Sequence, residues 1–156
     1  MSASGSGAEA RLAELGITIP EVVPPVAAYQ PTARTGNLVF TAGQLPARDG
    51  EMIAVGKLGG EVSEEQGYAC ARQCALNALA AVKAEIGSLD DVKRVVKVVV
   101  FVASTPDFTG QPKVANGASE LLGEVFGDAG RHARSAVGVS VLPLDVPVEV
   151  EIIVEV

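Results

Sequence analysis

Between Val92 and Ala103 two runs of β-branched and aromatic residues, Val95-Val96 and Val98-Val99-Val100-Phe101-Val102, are nearly continuous. A run this short and this continuous reads as a central strand covered on both faces. The rest of the fold must supply its cover.

Two helices are predicted to do so. Ser63-Glu-Glu-Gln66 has the S-x-x-Q capping pattern and opens a helix that runs to Ile86 and stops at Gly87. Ala71, Ala75, Ala78, Leu79, Val82 and Ile86 share one face of it, and so small a face lets a helix lie close on a sheet. A second helix spans about Pro112 to Phe126 and ends at Gly127. Strands are expected at Val26–Gln30 and Leu38–Ala42 around a Gly36-Asn37 turn, and weakly at Met52–Val55 after the turn Ala47–Gly50. Residues 1–21 read as a flexible N-terminal extension with one short helix, Ala8–Leu15, stopped by Gly16. Residues 22–156 read as a single domain, entered through an extended lead-in at Pro20, Pro24 and Pro25.

The last third reads as two alternating strands. In Arg134–Leu142 the apolar set is Val137, Val139 and Val141. In Val146–Val156 it is Val148, Val150, Ile152 and Val154. If those sets face the helices, Arg134, Gly138, Glu149 and Ile153 all lie on the opposite face. The order of elements implies an α+β fold, one sheet with both helices on one side. Its other face, part apolar and part charged, is then expected to be covered by further copies of the chain. If Leu142–Pro147 closes a hairpin, Arg134 sits opposite about Glu155. Glu149 is then six residues along, roughly 20 Å at ~3.3 Å per residue. The two can share a site only if the sheet curves strongly or the site spans two chains.

Composition narrows the function. Apolar residues make up 48% of the 156, so the bulk of the chain is neither disordered nor a coiled coil. Twelve basic against nineteen acidic residues leave a net charge of −7, which argues against a nucleic-acid partner. No apolar run approaches membrane-spanning length and no signal peptide is evident, so a cytoplasmic protein without membrane contact is expected. Cys70 and Cys74, four apart in one helix, read as small core residues. With His132 the only histidine, no metal site is expected.

No phosphate loop, dinucleotide fingerprint, nucleophile elbow or zinc-protease motif is present. What remains is Arg134 and Glu149. An arginine fork holds a carboxylate with two hydrogen bonds, and a half-buried glutamate can deprotonate water. Together they suit a small carboxylate-bearing substrate attacked by water; a structural ion pair would satisfy the same pattern.

Several stretches then become recognisable: Ala28-Tyr29-Gln30, Gly36–Pro46 (GNLVFTAGQLP), Lys97–Val102, Ala133–Val137, Leu142-Pro143 and Val148–Ile152. In this order and spacing they resemble the RidA (YjgF, L-PSP endoribonuclease-like) family over roughly residues 22–156. Gly130–Gly138 (GRHARSAVG) is similar to one branch of longer chains. The resemblance implies a chorismate-mutase-like homotrimer with a central barrel and three clefts between subunits. It implies hydrolysis of reactive enamines and imines, such as 2-aminoacrylate, to 2-oxo acids and ammonia, with no cofactor. It assigns the carboxylate-binding Arg to Arg134, the water-handling Glu to Glu149, the cleft Tyr to Tyr29, and substrate contacts to Gly43, Ala136 and Asn116. Three positions depart from the family pattern: Ala42 stands where the family has Ser, Ala136 where it has Cys, and His132 where it has Pro. The departures at Ala42 and Ala136 leave a second reading open, a trimer that binds or senses small carboxylates without turning them over. The older family name suggests a third, ribonuclease activity, which the negative charge disfavours.

Overall fold

A computed structural model describes residues 7–25 and 27–156. Helix α1 (Ala8–Leu15) ends at Gly16, whose φ of 70° gives the left-handed turn a glycine adopts without penalty. Strands β1 (Thr32–Thr35) and β2 (Leu38–Thr41) form a hairpin. Strands β3 (Ala47–Arg48) and β4 (Glu51–Met52) form a second, minimal one. Helix α2 (Glu64–Ile86), strand β5 (Arg94–Ala103), helix α3 (Gln111–Phe126), strand β6 (Ala133–Val139) and strand β7 (Val148–Glu155) complete the chain.

Five strands make one mixed sheet in the order β1-β2-β7-β5-β6, and α2 and α3 pack together over one face. The fold is α+β, as the sequence predicts. The capping box at Ser63 is present: its Oγ accepts from the Gln66 N–H at 3.1 Å, and Gln66 Oε1 accepts from the Ser63 N–H at 2.8 Å. Cys70 and Cys74 are free and buried on α2, where burial pushes the Cys70 thiol up to about 11. The two helices lie close because Gly117 has no side chain: a Cβ there would stand 2.1 Å from the Tyr68 carbonyl oxygen. The core is Val, Leu and Ala. Leu79, Leu121, Leu122, Val98, Val100 and Ile152 are sealed between the helices and the sheet.

Four expectations need correction. Val26 lies outside the described residues, and Ala27–Gln30 bends instead of forming a strand; the first strand begins after Pro31. The weak strand at Met52–Val55 reduces to Glu51–Met52, because Asp49 (φ 55°) and Gly50 (φ 82°) make a tight turn that pairs Arg48 with Glu51.

The third correction concerns the last two strands, which are not a hairpin. β6 pairs in parallel with β5 through the α3 crossover and forms the sheet edge. The chain then passes the end of β5, and β7 inserts between β5 and β2. The connection makes its turn with Leu144 (φ 58°) and Asp145 (φ 59°), both left-handed.

The fourth follows from the third. Arg134 pairs with Val98, whose side chain is in the core, and Gly138 pairs with Val102, so both face the helices. Val137 pairs with Phe101 on the open face and is 44% exposed. The alternation in β6 therefore runs opposite to the expected one. Its small residues face α3, which needs the room: a Cβ on Gly138 would stand 2.9 Å from Gln111 Nε2. Val137 is left on the sheet's bare side. β5 is an interior strand, yet only its helix side is fully covered within one chain.

Candidate functional site

The candidate residues fall into two groups on opposite faces of the sheet. The first surrounds a cavity of about 830 Å³ on the open side, by the β1–β2 hairpin. Tyr29, Phe40, Ala42, Gly43, Leu45, Pro143 and Glu149 contribute to its wall. Glu149 reaches it because β7 alternates strictly: Val148 and Val150 enter the core and Glu149 points away. Gly43 is brought over Glu149 by the next residue. Gln44 and Val150 exchange backbone hydrogen bonds of 2.7 and 3.0 Å, which zip the segment after β2 onto β7. The two residues then fit so closely that a Cβ on Gly43 would stand 1.8 Å from Glu149 Oε2. The carboxylate occupies the space that the missing side chain leaves. Burial, reinforced by the neighbouring charge of Glu151, raises the Glu149 pKa above the ordinary carboxyl value. A carboxylate shifted in that direction is a stronger base for a proton taken near neutral pH. Tyr29, almost half exposed, stands at the rim in the bend after the proline lead-in.

The second group lies on β6 and α3. Arg134 Nη1 donates to Asn116 Oδ1 at 2.8 Å and to Ser119 Oγ at 3.1 Å, and Nη2 reaches the Pro112 carbonyl at 3.5 Å. All three acceptors are neutral, and no carboxylate pairs with Arg134 among the described residues. A guanidinium has five N–H groups. Helix α3 supplies two acceptors to Nη1 and one to Nη2, and none to Nε. Nε–H has no partner among the described residues and Nη2 has a single weak one, which leaves the side edge of Nε and Nη2 available to a ligand. That edge matches the two oxygens of a carboxylate. Asn116, expected from the resemblance, is thus in contact with Arg134. Ala136 lies two residues along on the same face of β6, packed against the core.

Within one chain the two groups do not meet. Arg134 is opposite Val98 and Glu149 is opposite Phe101, on strands either side of β5. Their backbones are roughly 14 Å apart, from two strand spacings of ~4.8 Å and three residues of ~3.3 Å, and the side chains leave the sheet in opposite directions. No ion pair joins them within the chain, because they stand on opposite faces of the sheet and not at two ends of a hairpin. Among the described residues no three His, Cys, Asp or Glu side chains gather around a common point that would hold a metal.

Sequence reasoning missed Ser119. Its signal was there: Asn116 and Ser119 are three apart on a helix and so share a face. Phe40 and Pro143 had no such signal, since only the tertiary fold brings the β2 strand and the crossing loop to one cavity.

Residues 9–156 match the family described as "YjgF/chorismate_mutase-like, putative endoribonuclease". The chain is 46% identical to Protein TCP17 of Trypanosoma cruzi, over 99% of this chain and 98% of that one. A crystal structure of a protein of unknown function from Agrobacterium tumefaciens superposes with a TM-score of 0.89 at 44% identity, covering 96% of this chain and 92% of that one. A 2-iminobutanoate/2-iminopropanoate deaminase of Dermatophagoides farinae is 31% identical, over 88% of this chain and 93% of that protein. With the match running through both residue groups and nearly the whole fold, the chain belongs to the YjgF family and has its chorismate-mutase-like fold.

Proposed function

We propose that this protein hydrolyses reactive enamines and imines, such as 2-aminoacrylate and the 2-imino acid it forms, to 2-oxo acids and ammonia. The observation that carries this is the division of one chemistry between two places. An arginine with a free two-pronged edge sits on the sheet's edge strand, and a glutamate with a raised pKa sits in a cavity on the bare face. Neither is complete alone.

A closed ring of copies joins them. In the proposed ring, β6 of one copy lies against the open face of the next, so that Arg134 of the first serves one cleft with Tyr29, Gly43 and Glu149 of the second. The same contact would bury Val137 and Phe40, which one chain leaves exposed, and the half-buried Ile153 beside them. Such a head-to-tail contact closes if the rotation is right, and we take the closed form to be a homotrimer. The expected mass is about three times the 15.9 kDa of one chain.

In that cleft the free edge of Arg134 holds the substrate carboxylate and so fixes the adjacent imine carbon. Glu149 takes a proton from a water molecule, whose oxygen bonds to that carbon. That proton goes to nitrogen and gives a carbinolamine; Glu149 then takes the carbinol hydroxyl proton and passes it to nitrogen as the carbon–nitrogen bond breaks, so ammonia leaves and the hydroxyl-bearing carbon becomes the carbonyl of the 2-oxo acid. The imine is already an electrophile, so no cofactor enters the scheme. The D. farinae deaminase supports this reading by name. The alanines at Ala42 and Ala136, in place of the family's Ser and Cys, favour the alternative, a trimer that binds small carboxylates without turnover.

Ammonia and oxo-acid release from 2-aminoacrylate, made in situ by a dehydratase, decides between them. Acceleration by the wild type that is lost in Arg134→Ala and Glu149→Gln supports hydrolysis. Binding of pyruvate without any acceleration supports the binding reading.

A further inference from the structure

His132 has no role in that chemistry, yet it is built into the arginine's support. Its Nδ1 lies 2.6 Å from the Gly130 carbonyl oxygen and its Nε2 lies 2.8 Å from Ser119 Oγ. A carbonyl only accepts, so Nδ1 carries the hydrogen, and in the neutral ring Nε2 is bare. Ser119 must therefore donate its single hydrogen to Nε2. That turns a lone pair of Ser119 Oγ towards Arg134 Nη1, 3.1 Å away. Every donor and acceptor along the line Gly130–His132–Ser119–Arg134 is then satisfied in one direction only.

We infer that His132 is a positioning residue: through the Ser119 hydroxyl it locks the end of the Arg134 fork onto α3, and so holds the free edge in the orientation that receives a carboxylate. Without His132 the hydroxyl can rotate its hydrogen towards Arg134 and the contact is lost. The inference rests on the reading of Arg134 as the carboxylate site, but its hydrogen-bond order stands independently.

The test has two arms. His132 is the only histidine, so nitrogen-15 spectra of the untagged protein contain one imidazole. In the pH range where the imidazole nitrogen-15 signals no longer change with pH, the Nδ1–H tautomer is expected, with an Nε2 signal that moves in Ser119→Ala. A predominant Nε2–H tautomer overturns the inference. In the second arm pyruvate binding is measured for Ser119→Ala, His132→Ala, the double variant and His132→Gln. Each alanine is expected to weaken binding about 3- to 10-fold, and the double variant no more than Ser119→Ala alone. His132→Gln, whose amide oxygen can accept the Ser119 hydrogen, is expected to recover to within about 2-fold of wild type. The loss should appear in KM for 2-aminoacrylate with kcat little changed. Additive losses in the double variant overturn the inference. Wild type that fails to bind pyruvate refutes the carboxylate reading of Arg134, and the tautomer then decides the hydrogen-bond order on its own.

Discussion

Gly43→Ala displaces Glu149 while leaving the glutamate itself unchanged. The backbone at Gly43 is not in the left-handed region, so alanine brings no conformational penalty. Its methyl carbon would stand 1.8 Å from Oε2, 2.8 Å from Cδ and 3.1 Å from Cγ of Glu149. All three atoms belong to a side chain, so Glu149 can yield while the main chain stays. To reach ordinary contact, the carboxylate oxygen must retreat by about 1.6 Å. The strain of an altered rotamer is worth about 0.5–1.5 kcal/mol, which in a chain of this size lowers Tm by only about 2–5 °C. The chemical cost is larger, since a misplacement of ~1 Å in a reacting group costs about 100-fold in rate. Steady-state release of oxo acid from 2-aminoacrylate should therefore show kcat reduced about 100-fold, with KM nearly unchanged because Arg134 still holds the substrate. Wild-type kcat in Gly43→Ala would show that Glu149 acts from some other position. Unfolding of the variant would show that the segment after β2 cannot yield as described.

Other outcomes follow from the same geometry. Arg134→Lys keeps the charge but loses the fork, so pyruvate affinity should drop about 10-fold by calorimetry, and Arg134→Ala should abolish it with Tm retained. Glu149→Gln should raise stability at neutral pH: a carboxyl whose folded pKa is raised stabilises the fold fully only below its unfolded value and loses that contribution as pH rises through the folded value. Thermal melts of wild type and variant should converge as pH falls below about 4, and a gain that persists in acid would contradict the raised pKa. Gly117→Ala sets a methyl against the Tyr68 carbonyl and should cost about 1–3 kcal/mol in urea denaturation; a neutral result would mean that α2 and α3 are not so closely packed.

The parts of the fold legible in the sequence are those set by local chemistry. The capping box at Ser63, the glycine stops at Gly16 and Gly87, and the strict alternation in β7 all stand as read. Misreadings arose where tertiary context overrode the local pattern. The alternation in β6 was clear, but its sense was not. Valines facing outward look like valines facing a core, and only the neighbouring α3, which needs Ala136 and Gly138 beneath it, decides which face is buried. The β6–β7 hairpin was inferred because adjacent strands usually pair, whereas β7 inserts past β5. For the site, Arg134 and Glu149 were visible as the polar members of apolar strands. Their placement on opposite faces was not visible, since it depends on that reversed alternation. Ser119 was hidden because serine on a helix is ordinary; only its contacts with Arg134 and His132 give it meaning.

A working site, on this reading, takes Arg134 from one copy and Glu149 from another. Mixing two inactive variants tests it directly. Arg134→Ala and Glu149→Gln chains are unfolded together in equal amounts, refolded, and assayed for oxo-acid release from 2-aminoacrylate. In a randomly mixed ring, about one quarter of the clefts pair an intact Arg134 with an intact Glu149 of the neighbour, so about a quarter of wild-type activity should return. A site contained within one chain has no intact copy in the mixture, and activity that stays at the level of the separate variants, beside an active wild type refolded in the same way, would contradict the claim.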